Sequence, residues 1–340
     1  MTVRTILLMM FALSVLAGRT LAETGRGCGR MSGDEEIAAC THNITSGKSS
    51  GQELAVSYYN RGLAYNAKGD SDRAIADFNE TIRLDPKDAA AYNSRGIAYN
   101  AKGDFDRAIA DYDEAIRLDP KDAAAYNSRG IAYNAKGDFD RAIADYNQAV
   151  RLDPNAARYY NRGYSYNAKG DFDRAIADLN EAIRLDPKDA VKFYTRGIVN
   201  LYAGSVSKAQ LDLNQAAQLD PSYAYTALWL DVVNKRSDRS SRLPQVISQL
   251  DMTKWPAPLV RMYLGQMTPE AVLVAAENAN ADTKRRQICE ANFFSGELAL
   301  QRGAKDEAIQ LLRLAANDCP KTFIEWRAAN AELKTLGMAP

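Results

Sequence analysis

Apolar positions in the middle of the chain recur at the three- and four-residue spacing of an amphipathic helix. Two such stripes follow each other, one in residues 89–102 and one in residues 106–118. Gly103-Asp104 separates them, which is typical of one helix ending and the next beginning. Asp119-Pro120 closes the second stripe, because proline disfavours helical backbone in the residue before it. The stripes consist of Tyr92, Gly96, Tyr99, Ala108, Ile109, Tyr112, Ala115 and Ile116. This pattern predicts two helices joined by a tight turn.

The predicted helix pair recurs five times with a period close to 34 residues. An Arg-Gly dipeptide marks each copy, in steps of 34, 34, 33 and 34, at Arg61, Arg95, Arg129, Arg162 and Arg196. The copies span residues 55–88, 89–122, 123–155, 156–189 and 190–223. Residues 89–112 are identical to residues 123–146. A pair of this size cannot bury its apolar face alone, so the repeats predict an all-α solenoid with a continuous core.

The repeat unit resembles the tetratricopeptide repeat (TPR) family over residues 55–223. In the second copy, the family's positions are occupied by Tyr92, Gly96, Tyr99, Ala108, Tyr112, Ala115 and Pro120. Two positions depart from the family pattern, at Thr81 and Asn200. The resemblance implies a right-handed superhelix of helix-turn-helix units, with the first helices lining a concave groove.

Weaker copies flank the five repeats. Residues 23–54 predict an amino-terminal cap with a half repeat, because Asp34–Thr45 aligns with the second helix of the unit. Residues 224–288 lose the period but keep a helical pattern, and residues 289–340 hold a final TPR-like repeat and a closing helix. This helical carboxy-terminal part resembles the bacterial periplasmic TPR lipoproteins of the NlpI type. The lipid box of those lipoproteins is missing here.

The first 22 residues have the pattern of a secretory signal peptide. Arg4 precedes the apolar run Thr5–Gly18, and Thr20-Leu21-Ala22 supplies a small residue for cleavage. The alternative is an uncleaved anchor, but the run is shorter than the roughly 20 apolar residues that cross a bilayer. We therefore expect an exported protein, periplasmic or secreted, with no membrane span in the mature chain.

The net charge and the numbers of histidines and cysteines exclude several kinds of site. The chain has 43 basic and 43 acidic residues, which argues against a nucleic-acid partner. His42 is the one histidine, so a His dyad and a multi-His metal site are excluded. In an exported protein the four cysteines are expected to form disulfides, and their spacing suggests Cys28–Cys40 and Cys289–Cys319. We predict no catalytic residue, metal site or cofactor.

The resemblance also implies which residues line the groove. They are Tyr59, Asn66, Asn93, Asn100, Asn127, Asn134, Tyr160, Tyr164, Asn167, Tyr194, Leu201 and Tyr202. Amides and aromatic rings of this kind suit peptides, whereas the asparagines could equally be solvated residues at helix ends. Because the second and third repeats present the same side chains, their ligand is itself repetitive or extended, or these repeats are a spacer. Sharper specificity is expected at the divergent Tyr160, Tyr164, Tyr194, Leu201 and Tyr202.

Repeated charges have both a structural and a functional interpretation. The arginines of the Arg-Gly dipeptides recur with Asp77, Asp111, Asp145, Asp178 and Asp212. Because the arginines and aspartates are equal in number, we expect them to form ion pairs across packed helices. An arginine stripe that binds anions is the less favoured interpretation. The aspartates at the turns, such as Asp104, lack the glycine and closing glutamate of a calcium loop and favour helix capping.

The sequence predicts a non-catalytic scaffold or adaptor that binds proteins or peptides. The NlpI-type resemblance implies an envelope protease or peptidoglycan enzymes as partners. The alternative is a self-associating structural protein, for example a homodimer. An enzyme would need a carboxylate pair in residues 224–288, and none with suitable neighbours is visible.

Overall fold

The computed structural model describes residues 28–29 and 32–338. This part of the chain is all-α, as predicted, and contains no β-strand. None of its helices combines the length and apolar character needed to cross a membrane. The predicted signal peptide, residues 1–22, lies outside the described residues.

The helices are short and follow one another with brief turns. They are α1 (Gly33–Thr45), α2 (Gly51–Ala67), α3 (Ser71–Leu84), α4 (Ala89–Ala101), α5 (Phe105–Leu118), α6 (Ala123–Ala135), α7 (Phe139–Leu152), α8 (Ala156–Ala168), α9 (Phe172–Leu185), α10 (Ala190–Tyr202), α11 (Val206–Leu219), α12 (Ala224–Arg236), α13 (Leu243–Val246), α14 (Ala257–Tyr263), α15 (Pro269–Ala275), α16 (Ala281–Gln301), α17 (Lys305–Asp318) and α18 (Ile324–Thr335). A short 3₁₀ helix, Ile247–Gln249, follows α13.

Two compact units make up the chain, the first ending at Arg158 and the second beginning at Tyr159. In the first unit α2 packs with α3, α4 with α5 and α6 with α7. Within this unit, α3 also packs against α4, and α5 packs against α6, so successive pairs are joined. Helix α1 packs against α2, which is the arrangement expected of a half repeat.

The turn inside each of the first four repeats is built by a glycine and an aspartate, whereas the fifth has Gly204 and Ser205, and Ser205 makes no capping hydrogen bond. Gly103 has φ +79°, a left-handed conformation that glycine adopts without strain. The Asp104 side chain accepts a hydrogen bond from the Arg107 backbone N–H at 3.2 Å and so caps α5. Asp70, Asp138 and Asp171 cap their helices in the same way. The capping interpretation of these aspartates is confirmed.

A glycine in each first helix lets the two helices of a repeat approach closely. A Cβ atom at Gly96 would lie 2.6 Å from Tyr112 Cε1, which no side chain could tolerate without movement. The Tyr112 ring fills this contact and is fully buried. The periodic Gly and aromatic positions of the sequence are therefore one packing feature.

Buried ion pairs join the two helices of every repeat. Arg95 donates through Nε and Nη2 to the two carboxylate oxygens of Asp111, at 2.8 and 2.6 Å. Its third nitrogen, Nη1, donates to Asn79 Oδ1 of the preceding repeat at 2.7 Å. The other pairs are Arg61–Asp77, Arg129–Asp145, Arg162–Asp178 and Arg196–Asp212. The structural interpretation of the two charge ladders is confirmed, because each arginine is already bound to its aspartate.

The cysteines lie in the expected pairs at disulfide-bonding distance. The Sγ atoms of Cys28 and Cys40 are 1.99 Å apart, and those of Cys289 and Cys319 are 2.03 Å apart. The first bridge ties the described amino-terminal residues to α1. The second ties α16 to the residue that follows α17.

The second unit departs from the repeat pattern after α11. Helix α16 runs without interruption across the boundary that the sequence predicts between residues 288 and 289. Trp229 of α12 lies at its core, with ring centroids 5.3 Å from Phe293 and 5.8 Å from Phe294 of α16. Thr268 caps α15 with Pro269 in the first turn, as the sequence predicts. The carboxy-terminal helices therefore form an aromatic core of their own with α10 to α12.

We predict that Arg95→Ala lowers the free energy of unfolding by about 3–5 kcal/mol, because it leaves the buried Asp111 carboxylate without its partner. Arg107→Ala in the same repeat should lower the free energy of unfolding far less, because the Arg107 side chain is 64% exposed in its pair with Asp104. Urea denaturation followed by circular dichroism measures both. The double variant Arg95→Met/Asp111→Leu should recover most of the loss. Equal losses in the two single variants would contradict this account.

Candidate partner-binding surfaces

Six of the predicted groove residues lie in the first unit, on the first helices α2, α4 and α6. We call this set the first-helix face, and all its members are partly buried: Tyr59, Asn66, Asn93, Asn100, Asn127 and Asn134. The Tyr59 hydroxyl lies 3.2 Å from Ser94 Oγ, and its ring centroid is 5.8 Å from that of Phe78. Tyr59 thus links the first helices of two successive repeats while its side chain stays partly accessible.

Three asparagines of this face share an unsatisfied acceptor. The Oδ1 atoms of Asn93, Asn100 and Asn134 are buried and receive no hydrogen bond. Leaving such an acceptor unpaired costs roughly 1–3 kcal/mol, so it is rare without a reason. Asn100 and Asn134 occupy the same position in consecutive repeats. The face therefore repeats a hydrogen-bond acceptor at regular intervals.

In the second unit, the predicted groove residues Tyr160 and Tyr164 on α8 already have partners within the protein. Tyr160 shares a hydrogen bond with Thr195 Oγ1 at 3.2 Å. The Tyr164 hydroxyl donates to the backbone oxygen of Thr322, and the Arg327 guanidinium lies 4.6 Å from the Tyr164 ring centroid. The three guanidine nitrogens of Arg327 are buried without a hydrogen-bond acceptor. The segment between α17 and α18 therefore lies on the first helix of the fourth repeat.

The remaining predicted groove residues belong to the interior of the second unit. Asn167, Tyr194 and Leu201 are only 6%, 6% and 4% exposed. The Tyr202 ring meets Trp229 edge-on at 6.2 Å, and its hydroxyl is buried. Of the positions where the sequence predicted sharper specificity, Tyr194, Leu201 and Tyr202 therefore pack against a core that also contains residues of α12 and α16.

Sequence reasoning missed a buried group of acids and aromatic rings in the second unit. Glu290 Oε2 accepts hydrogen bonds from the Tyr225 hydroxyl at 2.6 Å and from Trp255 Nε1 at 2.7 Å. Glu325, at the start of α18, is 6% exposed and within electrostatic range of Glu290. Tyr223 packs against Tyr194 at 5.4 Å and against Tyr225 at 5.5 Å. We call these six residues the tyrosine–glutamate cluster: Tyr194, Tyr223, Tyr225, Trp255, Glu290 and Glu325.

The cluster perturbs the protonation of its carboxylates. Burial, with a smaller contribution from the charge of Glu290, raises the pKa of Glu325 to about 8. Burial also raises the pKa of Glu290, against the hydrogen bonds from Trp255 and Tyr225. No motif marks this group, because its members come from five separate segments of the sequence.

A second acidic pair nearby is neutralised by an arginine. Arg236 Nη2 donates to Glu297 at 3.0 and 2.9 Å and to Glu332 at 2.5 Å. Burial raises the pKa of Glu297 to about 7, partly offset by the Arg236 charge. This pair joins α12, α16 and α18 and is satisfied within the protein.

One group in the described part of the chain has the composition of a metal site. Ligand atoms of Cys28, Glu36 and Cys40 lie within 4.8 Å of one another. The two cysteines are bonded to each other, which leaves one carboxylate as the available ligand. These residues do not fit a metal ion.

Residues 59–190 match the tetratricopeptide repeat family in three overlapping stretches, 59–123, 101–157 and 127–190. Together with the Gly–aromatic contact and the helix pairs, this match shows that the chain contains tetratricopeptide repeats. The fold is a TPR helical solenoid with a helical carboxy-terminal extension.

Solved structures of similar fold include several TPR proteins. The Cut9–Hcn1 hetero-tetramer of the APC/C has a TM-score of 0.53 and 16% identity, covering 87% of this chain and 52% of that chain. YrrB, a TPR protein with an unusual peptide-binding site, has a TM-score of 0.46 and 22% identity, covering 56% and 96%. PilW, a type IV pilus biogenesis factor, has a TM-score of 0.49 and 15% identity, covering 76% and 99%. At these identities the likeness is one of fold.

The raised pKa of Glu325 makes stability depend on pH. Between about pH 4.5 and about pH 8 the folded protein keeps a proton that the unfolded chain releases. The free energy of unfolding therefore falls as the pH rises through this window. Glu290 and Glu297 act in the same direction, and Arg327 opposes the effect at Glu325. We predict that Glu325→Gln flattens this decline and melts at least about 2 °C above the wild type near pH 9.

Melting temperatures measured from about pH 5 to about pH 9 check this prediction. Glu307→Gln is the control, because the Glu307 side chain is 48% exposed and its removal should leave the profile unchanged. A Glu325→Gln profile parallel to that of the wild type would contradict the assignment.

Proposed function

We propose that the protein is a non-catalytic, exported scaffold that binds extended segments of partner proteins on its first-helix face. The unpaired amide oxygens of Asn93, Asn100 and Asn134 are the observation that carries this proposal. A backbone N–H is the donor that every extended peptide presents, and it would satisfy these acceptors. The surrounding ladder arginines are already paired with aspartates, so recognition on this face depends on amides rather than on charge.

The identity of the second and third repeats shapes the proposed ligand. Helices α4 and α6 have the same sequence and present Asn93 and Asn100, then Asn127 and Asn134, at matching positions. Two identical surfaces favour a ligand that is itself repetitive, or one recognised mainly through its backbone. Tyr59 extends the face with an aromatic ring, which adds contact area at a small entropic cost.

Export and the class of partner are part of the proposal. Two cysteine pairs at disulfide distance favour an oxidising compartment. The periplasm or the exterior of the cell fits this chemistry and the apolar run at the start of the sequence. The resemblance of the carboxy-terminal part to NlpI-type proteins makes an envelope protease or peptidoglycan enzymes the partners to examine first. A protein of this kind organises such enzymes and does no chemistry itself.

Asn93→Ala combined with Asn100→Ala should weaken the binding of peptides selected from a random display library by about tenfold. Each lost hydrogen bond contributes about 0.5–1.5 kcal/mol. The unliganded protein should keep or gain stability, because the change removes unsatisfied buried acceptors. Selection on the oxidised protein, fluorescence anisotropy and thermal melting measure these effects.

The matched control is Asn79→Ala, which removes an asparagine amide from the second helix α3. It should leave the affinity of the selected peptides unchanged. Loss of stability without loss of affinity in the Asn93/Asn100 variant would show that these amides are structural. That result would contradict the proposal. Sedimentation of the unliganded protein tests self-association, for which a stable dimer would be the supporting result.

A further inference from the structure

We propose that the tyrosine–glutamate cluster is a binding site for a basic side chain, lysine or arginine, of a peptide partner. This inference rests on the proposed peptide-binding function and adds a preference for positive charge. Its basis is a carboxylate held by two aromatic side chains, Glu290, with a second buried carboxylate, Glu325, in electrostatic range. Neither carboxylate forms an ion pair within the described residues.

The two carboxylates are held in place but are only partly satisfied. Tyr225 and Trp255 both donate to Oε2 of Glu290 and so fix the orientation of that carboxylate. Within the described residues, no hydrogen bond reaches Oε1 of Glu290, and the Glu325 side chain receives none from another residue. Glu290 is 9% and Glu325 is 6% exposed. Buried carboxylates normally have a partner, and here Tyr225 and Trp255 satisfy one oxygen of Glu290.

The nearby arginines do not supply the missing positive charge. Arg286 and Arg327 are within electrostatic range of Glu290 and Glu325, respectively. Neither forms an ion pair within the described residues. Arg286 lies 5.9 Å from the Phe323 ring centroid, and Arg327 stacks on Tyr164. This contrasts with Glu297 and Glu332 in the same unit, which Arg236 bridges directly.

Aromatic rings complete a site suited to a cation. Tyr223 stands between Tyr194 and Tyr225, with centroid distances of 5.4 and 5.5 Å, and Trp255 adds an indole on the side of Glu290. Ring faces attract ammonium and guanidinium groups, most strongly where water is excluded. Tyr223 and Tyr225 stay partly accessible, so a side chain can reach the cluster from the surface.

The cluster lies near a first helix of the second unit. Tyr160 lies within electrostatic range of Tyr223 and belongs to the first helix of the fourth repeat. A peptide lying on Tyr160 could therefore place one side chain between Glu290 and Glu325. The pKa values of both carboxylates are raised, that of Glu325 to about 8, and an incoming cation would favour their charged forms.

The Trp255 indole N–H resonance reports on the site directly, because this group donates to Glu290. The oxidised protein from residue 23 onward is titrated with acetyl-Gly-Gly-Arg-Gly-Gly-amide, its lysine analogue and its citrulline analogue. Trp255→Phe assigns the resonance. We expect a saturable shift with the arginine or lysine peptide and none with the uncharged citrulline peptide.

Glu325→Gln should weaken this binding at least about tenfold, because it removes one of the two charges. Glu297→Gln is the matched control. Glu297, on α16, is also a buried glutamate, but it already forms an ion pair with Arg236, so this variant should bind the peptide as the wild type does. Affinity should rise between about pH 6 and about pH 8.5, because Glu325, whose pKa is raised to about 8, loses its proton there. Arg286, Arg327, Tyr194, Tyr223 and Tyr225 are the other charged or titratable groups around the two carboxylates.

Three results would overturn the inference: equal shifts with the arginine and citrulline peptides, equal affinity losses in Glu325→Gln and Glu297→Gln, or a shift with calcium chloride alone. The proposed function fails separately, through the Asn93/Asn100 variant. If library-selected peptides depend on those asparagines and Trp255 does not respond, the proposed function stands and this site does not.

Discussion

The structure depends on a buried ion pair that each repeat makes between its two helices. Arg95 shows the full pattern, with two nitrogens on Asp111 and the third on Asn79 of the preceding repeat. The same guanidinium thus fixes the geometry of one helix pair and links it to its neighbour. Because its three guanidinium nitrogens already donate to Asp111 and Asn79, Arg95 has no donor left for a ligand. The first-helix face therefore offers amides and aromatic rings for binding.

The repeats could be predicted from sequence because local chemistry and packing agree at every period. Gly103 and Asp104 end and begin helices by their own backbone and capping preferences, and Gly96 leaves room for Tyr112. The pairing of arginines with aspartates followed from equal numbers at fixed positions. Such signals need only neighbouring residues, or residues one repeat apart, and the structure places them as expected.

The second unit was less predictable, because its decisive contacts join distant segments without a period. Tyr194 and Leu201 occupy groove positions of the repeat family but are buried in a core that also contains residues of α12 and α16. Nothing in the sequence distinguishes Glu290 and Glu325 from other acidic residues, since Tyr225 and Trp255 are far from them in sequence. The loss of the period after residue 223 was the visible sign that a different core begins there. Divergence from a repeat can therefore mark a covered surface as readily as a specific one.

The central claim is that partners bind along the first helices of the first unit. Photo-crosslinking tests it most directly, using a library-selected peptide that carries a benzophenone and mapping the attached residues by mass spectrometry. The account predicts attachment within α4 and α6, at residues 89–101 and 123–135. Attachment confined to the second helices α5 and α7, with α4 and α6 unmodified, would contradict it.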